Sequence, residues 1–462
     1  LLQNKAIDNV LNPQKENSKS IFMKNVFLAS AWLIFSLAAC NSQEKKKEEN
    51  KDKADVVATE SSQVDLPAPY ATKSAKKYSK VIGWKRSEKP IAPAGFTVTM
   101  FATNLVSPRN IYVAANGDVF VAESNTEAKG VKKVVNEVSG KAKSQTSGQS
   151  ANRITILRDA NHDGKPELQQ TFLSGLNQPF GMLVLNNYFY VANTDGLWRY
   201  PYKAGQTVMS AKGEKVLNLP AGGYNNHWTR QLLASADGSK IYISVGSGSN
   251  DGENGMDKEV RRANVLQINP DGTGEKIYAS GLRNPAGIAW APDQKTLWAA
   301  VNERDELGDN LVPDYMTSVK EGGFYGWPYA YFGQHEDPNH KGEKPELVKK
   351  TITPDVSLGA HTASLGLTFY TANTFPGKYK NGAFVGQHGS WNRSTLSGYK
   401  IVFVPFENNK AGKPEDFLTG FIADEPKGEV HGRPVGVAVQ QDGSLLVADD
   451  SGNKIWRVSA SK

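Results

Sequence analysis

The sequence predicts an all-β fold, a six-bladed β-propeller occupying residues 89–462. Six segments repeat one pattern, in which a turn carrying Gly, Asn or Asp leads into an alternating apolar strand that ends in small or polar residues. Glycine reaches 43 residues and aromatics 10%, the profile of many short strands joined by tight turns. Helical periodicity is scarce along the same stretch.

In chain order, Asn116-Gly117-Asp118 enters VFVAES, Asn186-Asn187 enters YFYVANT, and Asp237-Gly238 enters KIYISVG. Asp293-Gln294 then enters TLWAAVN, Asn381-Gly382 enters AFVGQH, and Asp442-Gly443 enters LLVADD. Six units across residues 89–462 give about 62 residues each, against roughly 40–50 for a four-stranded blade, so each blade carries about a dozen residues of loop. A ring of such blades covers both faces of every sheet and leaves no long open edge. Asn125 to Ala151, rich in Lys, Ser and Gly, reads as a surface insertion. Several repeat strands end in polar residues (Asn193 and Thr194, Asn302 and Glu303, Gln387 and His388), and such groups gathered around a propeller axis form the default ligand site.

The N-terminal region reads as an address. Residues 1–22 lack an initiator Met and are set aside as sequence upstream of Met23. Residues 23–39 form a signal peptide, with a short basic start at Lys24 and an apolar run from Val26 to Leu37 that is too short for a stable membrane span. Leu37-Ala38-Ala39-Cys40 resembles a bacterial lipobox, with Cys40 as the lipidated residue and the chain's single cysteine. Residues 40–88 are expected to be a flexible tether, polar and rich in Lys and Glu. The expected location is the periplasmic side of the envelope, at the outer membrane because Asn rather than Asp follows the cysteine. One cysteine leaves no disulfide within the chain and no covalent c-type haem. A net charge of +7 without a basic stripe argues against nucleic-acid partners.

Five motifs carry candidate chemistry. Asn225-Asn226-His227-Trp228-Thr229-Arg230 places a histidine just before a strand, either as a general base or as a hydrogen-bonded turn residue. Gly281-Leu282-Arg283-Asn284-Pro285-Ala286-Gly287 offers a planar five-donor guanidinium to an anion or carbonyl. Asn302 to Asn310 is an oxygen-rich loop of the kind calcium takes. Gly322 to Pro328 is either an aromatic wall for a sugar ring or a packed turn. His431-Gly432-Arg433-Pro434 supplies a second anion-binding arginine. A further run, Asp159 to Gly164, looks like half an EF-hand loop but has Gln170 where a bidentate Glu belongs, so it reads as a hairpin turn, with weak calcium binding as the alternative.

In this order, HWTR, GLRNPAG, NERDELGDN, GGFYGWP and GRPVGVAV resemble the sorbosone dehydrogenase family, relatives of the soluble sugar dehydrogenases that use pyrroloquinoline quinone (PQQ). The resemblance covers roughly residues 85–460. It implies a six-bladed propeller with the quinone and a calcium ion at one end of its axis. It implies His227 as the base, Arg283 and Asn284 as the pair contacting the quinone, and Arg433 on a quinone carboxylate. It further places Gln178, His361 and His388 near the cofactor, and Asn302 and Glu303 on the loop whose carbonyls hold calcium. The activity implied is oxidation of an aldose at its anomeric hydroxyl, or of an aldehyde hydrate, with electrons passed to an external cytochrome or quinone. One departure is Asn226, where better-known relatives have Asp beside the histidine. The competing readings are a calcium-dependent lactonase, which needs carboxylates converging on the axis, and a glycan-binding propeller without chemistry.

Overall fold

The computed structural model describes residues 64–127, 141–145, 147–148 and 150–461, and the regular secondary structure of this region is almost wholly β-strand. Among the described residues, six sheets have four antiparallel strands each. Their first strands, in chain order, are Pro108–Val113, Gly181–Leu185, Leu232–Ala234, Gly287–Trp290, Ser364–Phe369 and Pro434–Val439. Each of these strands touches the next and the last touches the first, so the sheets close a ring. The outermost strand of the sixth sheet comes from the other end of the chain: Phe96–Ala102 pairs antiparallel with Lys454–Ala460.

The six repeat strands of the sequence are the second strands of these sheets: Val119–Glu123, Tyr188–Asn193, Ile241–Val245, Leu297–Val301, Ala383–Gln387 and Leu445–Asp449. They are buried along nearly their whole length because both faces of each sheet are covered. The first sheet shows how alternation divides the load. Phe120 packs with Phe172 and Phe189 towards the second sheet, whereas Val119 and Val121 pack with Leu446 and Ala448 towards the sixth. Six apolar clusters fill the six gaps between consecutive sheets in this way.

Residues 64–88 depart from the expected tether. Lys80–Val81 pairs in parallel with Glu429–Val430, Tyr70 donates its N–H to the Leu307 carbonyl (2.8 Å), and Lys77 donates its N–H to Trp391 (2.9 Å). Trp84 donates Nε1–H to Asp449 Oδ2 (2.7 Å) and packs on His431, Phe421 and Trp456. The segment is a strap fastened across the loops of the fourth, fifth and sixth sheets. The physical reason is the apolar punctuation, Tyr78, Val81 and Trp84, that its overall polarity conceals. Residues 1–63, including the expected signal peptide and Cys40, lie outside the described residues, as does most of the predicted insertion after Asn125.

Around the axis the first strands approach closely, and glycine makes the approach possible. A Cβ on Gly366 would stand 2.1 Å from the Val435 carbonyl oxygen of the next strand, and one on Gly287 would stand 2.5 Å from the Leu365 carbonyl oxygen. Gly181 and Gly436 face the strands that follow them in the same way. Because the facing atoms are backbone, they cannot move aside as a side chain does. Gly366→Ala is therefore expected to lower unfolding stability by roughly 2–4 kcal/mol, the scale of overpacking with backbone displacement, as read by denaturant titration. An unchanged midpoint would show that the axis has slack.

Candidate active site

Antiparallel pairing brings the start of each first strand beside the end of each second strand. Pro108 lies opposite Glu123, Gly181 opposite Ala192, Gly287 opposite Ala300, Ser364 opposite Gln387, and Pro434 opposite Asp449. Residues before the first strands and after the second strands therefore gather at one end of the ring. Gln178, His227, Arg283, Asn284, Asn302, Glu303, His361, His388 and Arg433 all occupy such positions.

His227 is half-buried, and its Nδ1 lies 2.9 Å from both the carbonyl oxygen and the Oγ of Ser247. The Ser247 hydroxyl donates its own proton to the Ser249 carbonyl (2.7 Å), so it can only accept from the ring. Two acceptors at Nδ1 fix the proton there and leave Nε2 as the lone-pair nitrogen. Burial, followed by the positive charge of Arg283, holds the imidazole well below its ordinary pKa. The ring is thus a neutral acceptor over a wide pH range. Asn226 is exposed and uses its N–H on the Gly248 carbonyl (3.0 Å), so Ser247 takes the orienting role expected of Asn226.

Asn284 stands beside the histidine. A Cβ on Gly246 would meet both Asn284 Oδ1 and His227 Cβ at 2.5 Å, so the two side chains pack together over that glycine. Asn284 Oδ1 is buried with no partner in the protein. The neighbouring Arg230 is fully buried and donates to the carbonyls of His227 (2.7 Å), Thr229 (2.8 Å) and Pro220 (2.7 Å), pinning the loop that carries the base.

Arg283 does not point freely into the site. Its Nε and one terminal nitrogen donate to the carbonyl (2.8 Å) and side chain (2.9 Å) of Asn250, and the other terminal nitrogen donates to the carbonyls of Asn302 (3.2 Å) and Glu303 (2.7 Å). These last are the two carbonyls expected to hold calcium. The Glu303 carboxyl is pushed up to about 7 by burial, with the approach of Arg283 opposing. A guanidinium on both carbonyls does not fit a hard divalent ion there, so Asn302 and Glu303 serve here as the seat of Arg283. The half-EF-hand run is the loop between the third and fourth strands of the first sheet, where Asp159, Asp163 and Glu167 cluster and Asp159 accepts the Gly164 N–H (2.8 Å).

A second cationic group closes the opposite side. Arg109 lies 3.1 Å from Asp450, which accepts from His388 Nε2 (2.9 Å), and Arg433 donates to the carbonyls of His388 (2.9 Å) and Gly389 (2.7 Å). Burial and then Arg433 lower His388 to about 4. Burial and the charge of Arg433 also depress Arg109, although Asp450 opposes them. Two buried guanidinia and a single carboxylate between them leave unneutralised positive charge, which suits an anion with several carboxylates.

His361 is differently employed. Its Nε2 donates to the Gly308 carbonyl (2.8 Å) and its Nδ1 meets Asp305 (3.2 Å), so both ring nitrogens serve the 305–308 loop and not a ligand. Gln178 donates to the Asn125 carbonyl (2.9 Å), and Asn125 accepts from Arg109 (3.3 Å), which joins it to the second cationic group. Trp327 is buried and spends its N–H on Asn250 (3.0 Å), so Gly322 to Pro328 is a packed turn. Sequence reasoning missed Arg109, Ser247 and Asp450. Each lies at the repeat position that yielded the others, the start of a first strand or the end of a second.

A family model described as "Domain of unknown function (DUF7133)" matches residues 88–449, and the chain belongs to that family. A protein of Borreliella burgdorferi described as uncharacterized is 30% identical over 385 residues, covering 80% of this chain and 90% of that protein. The aldose sugar dehydrogenase YliI of Escherichia coli is 28% identical over 260 residues, covering 55% of this chain and 59% of that protein. The holo form of the PQQ domain of Coprinopsis cinerea pyranose dehydrogenase superposes with a TM-score of 0.63 at 18% identity, over 83% of this chain and 100% of that one. The likeness in structure is one of fold, and the ring of sheets is the propeller of these enzymes.

The two histidines give a direct test. Folded His388 is expected to titrate near 4 and His227 well below 6.5, so both remain neutral at pH 6 in nitrogen-detected NMR. Because the unfolded chain binds these protons at higher pH than the native one, His388 withdraws stability as pH falls from about 6.5 towards 4. His388→Gln should flatten that part of the stability profile. A His388 signal titrating at an ordinary value would disprove the electrostatics described for this group.

Proposed function

We propose that this member of the family is a six-bladed propeller quinoprotein that oxidises an aldose at its anomeric hydroxyl. The reading rests on one observation above the rest: a histidine whose proton is fixed on Nδ1, so that Nε2 stands as a neutral base beside buried arginines. When bound, pyrroloquinoline quinone would supply the two-electron acceptor. Arg109 and Arg433 are the residues suited to its carboxylates, with Asn284 and Gln178 beside it. His227 Nε2 would take the hydroxyl proton of the sugar while Ser247 holds the resulting imidazolium at Nδ1. The neighbouring arginines would hold the acceptor's oxygens, where negative charge gathers once the hydride has been taken up. Asn284 Oδ1, lacking a partner, is available to accept from a second sugar hydroxyl.

The relatives' names support sugar oxidation as the broad class. An aldehyde hydrate of the sorbosone kind would present the same proton to the same base. Calcium is given no step, because the carbonyls read as its ligands seat Arg283. A lactonase would need several carboxylates at the axis, whereas the groups found there are mainly Arg, His and Asn. Electrons would leave to an external cytochrome or quinone. The lipobox-like Leu37-Ala38-Ala39-Cys40 supports export as a lipoprotein that would be joined to the envelope through Cys40.

Two experiments test this reading. Dye-linked oxidation of an aldose panel should appear only when the quinone is added, and His227→Gln should lower turnover by roughly a hundred- to ten-thousandfold while quinone binding persists. Near-full activity in that variant would make His227 a turn residue and reject the mechanism. Separately, Cys40→Ser should move the protein from the membrane to the soluble fraction. Unchanged membrane association would reject the lipid anchor.

A further inference from the structure

The strap brings an aromatic ring to the site end of the propeller. Tyr78 and Trp391 stack with centroids 5.8 Å apart and planes within 5°. Both are half-buried, so each ring keeps an accessible surface. The pair is held in place from both sides. Lys77 donates its N–H to the Trp391 carbonyl (2.9 Å), and its ammonium pairs with Glu425 (2.7 Å). Asn392, fully buried, donates to the Ala75 carbonyl (2.9 Å) and accepts the Glu306 N–H (2.9 Å). The strap is therefore locked one residue from Asp305, which itself lies 3.2 Å from His361 and 3.8 Å from Arg283. Asp305 also raises the Tyr78 phenol, second to the effect of burial. On the other flank, Trp391 follows Gly389 and Ser390, and the Gly389 carbonyl accepts from Arg433 (2.7 Å). The stacked pair is thus linked to both cationic groups, through Asn392 and Glu306 on one flank and through Gly389 on the other.

We infer that Tyr78 and Trp391 form a stacking platform that receives the substrate as a closed pyranose ring, so that the strap sets substrate specificity. A flat aromatic pair offers its π face to the C–H groups of a sugar ring, while the charged groups beside it meet the hydroxyls. A short open-chain aldehyde hydrate has no such face and gains nothing from it. This inference rests on the sugar-oxidising reading and narrows its substrate to cyclic aldoses. It also moves the aromatic wall away from Gly322–Pro328, where Trp327 is packed out of reach.

The test compares wild type, Tyr78→Leu, Tyr78→Phe and Trp391→Leu. Leucine keeps apolar bulk to anchor the strap but has no flat face, and Phe keeps the face. The quinone-loaded proteins are assayed with D-glucose and with glyceraldehyde, and quinone affinity is measured separately. Binding of methyl glucopyranoside, which lacks the reacting hydroxyl, to the quinone-free proteins is followed by saturation-transfer NMR. Both Leu variants should raise KM for glucose roughly five- to twentyfold, with kcat, quinone affinity and the glyceraldehyde parameters nearly unchanged. They should also lose the methyl glucopyranoside signal, and Tyr78→Phe should match wild type in every measure. An unchanged glucose-to-glyceraldehyde ratio in the Leu variants would overturn the inference. Loss of quinone affinity with an unaltered sugar KM would overturn it as well, by making the pair a cofactor contact. Wild-type binding of methyl glucopyranoside without any sugar oxidation would sink the proposed reaction while leaving the platform standing.

Discussion

The closest constraint in this molecule is the approach of six strands around one axis. Where two backbones meet at the distance set by Gly366 and Val435, no side chain larger than hydrogen fits between them. Glycine there has a fixed consequence for the rest of each sheet. It lets the first strands converge while the second strands, a layer farther out, have room for Phe, Tyr and Leu. The apolar clusters between sheets are wide enough for these residues only because the axis is narrow.

The same convergence makes the site. A narrow axis brings the polar residues before first strands and after second strands within reach of one another across the ring. Arg109 from the first sheet, His388 from the fifth and Asp450 from the sixth share one network. Such a cluster is costly to bury unless its partners are held rigidly, and every partner here is seated on a strand end. His227 depends on the same rigidity, since its tautomer is fixed by a serine just past the second strand of its sheet. Burial and neighbouring charge then set its basicity, with no carboxylate involved.

Much of this was legible in the sequence, for a definable reason. The second strands are buried on both faces, so their apolar runs and Asx-Gly entries stand out, and all six were identified. The polar residues closing those strands gather at one end of the ring, as their shared repeat position predicts. Other features left weaker traces. The Pro-x-Gly pattern in Pro179-Phe180-Gly181, Pro285-Ala286-Gly287 and Pro434-Val435-Gly436 marks three of the axial strands, yet a spacing of three residues is easily passed over between longer motifs. The strap was read as tether because its mean polarity is high, while its attachment rests on a few residues such as Trp84. The seat of Arg283 was illegible, because backbone carbonyls carry no signature in a sequence. The same holds for Ser247, whose role comes from where its hydroxyl proton goes.

The pairing of Phe96–Ala102 with Lys454–Ala460 has a consequence in time as well as in space. The strand that completes the sixth sheet is made before the other strands of the ring, and its partner is made after them. Local hairpins can form as each repeat emerges, but the ring cannot shut until all six sheets have been made, and the entropy of so long a loop must be met before the axial contacts form. Since the site draws residues from every sector of the ring, a chain interrupted at any point has strands without a site. Binding competence is therefore an all-or-none property of the closed ring, absent until its sixth sheet is completed.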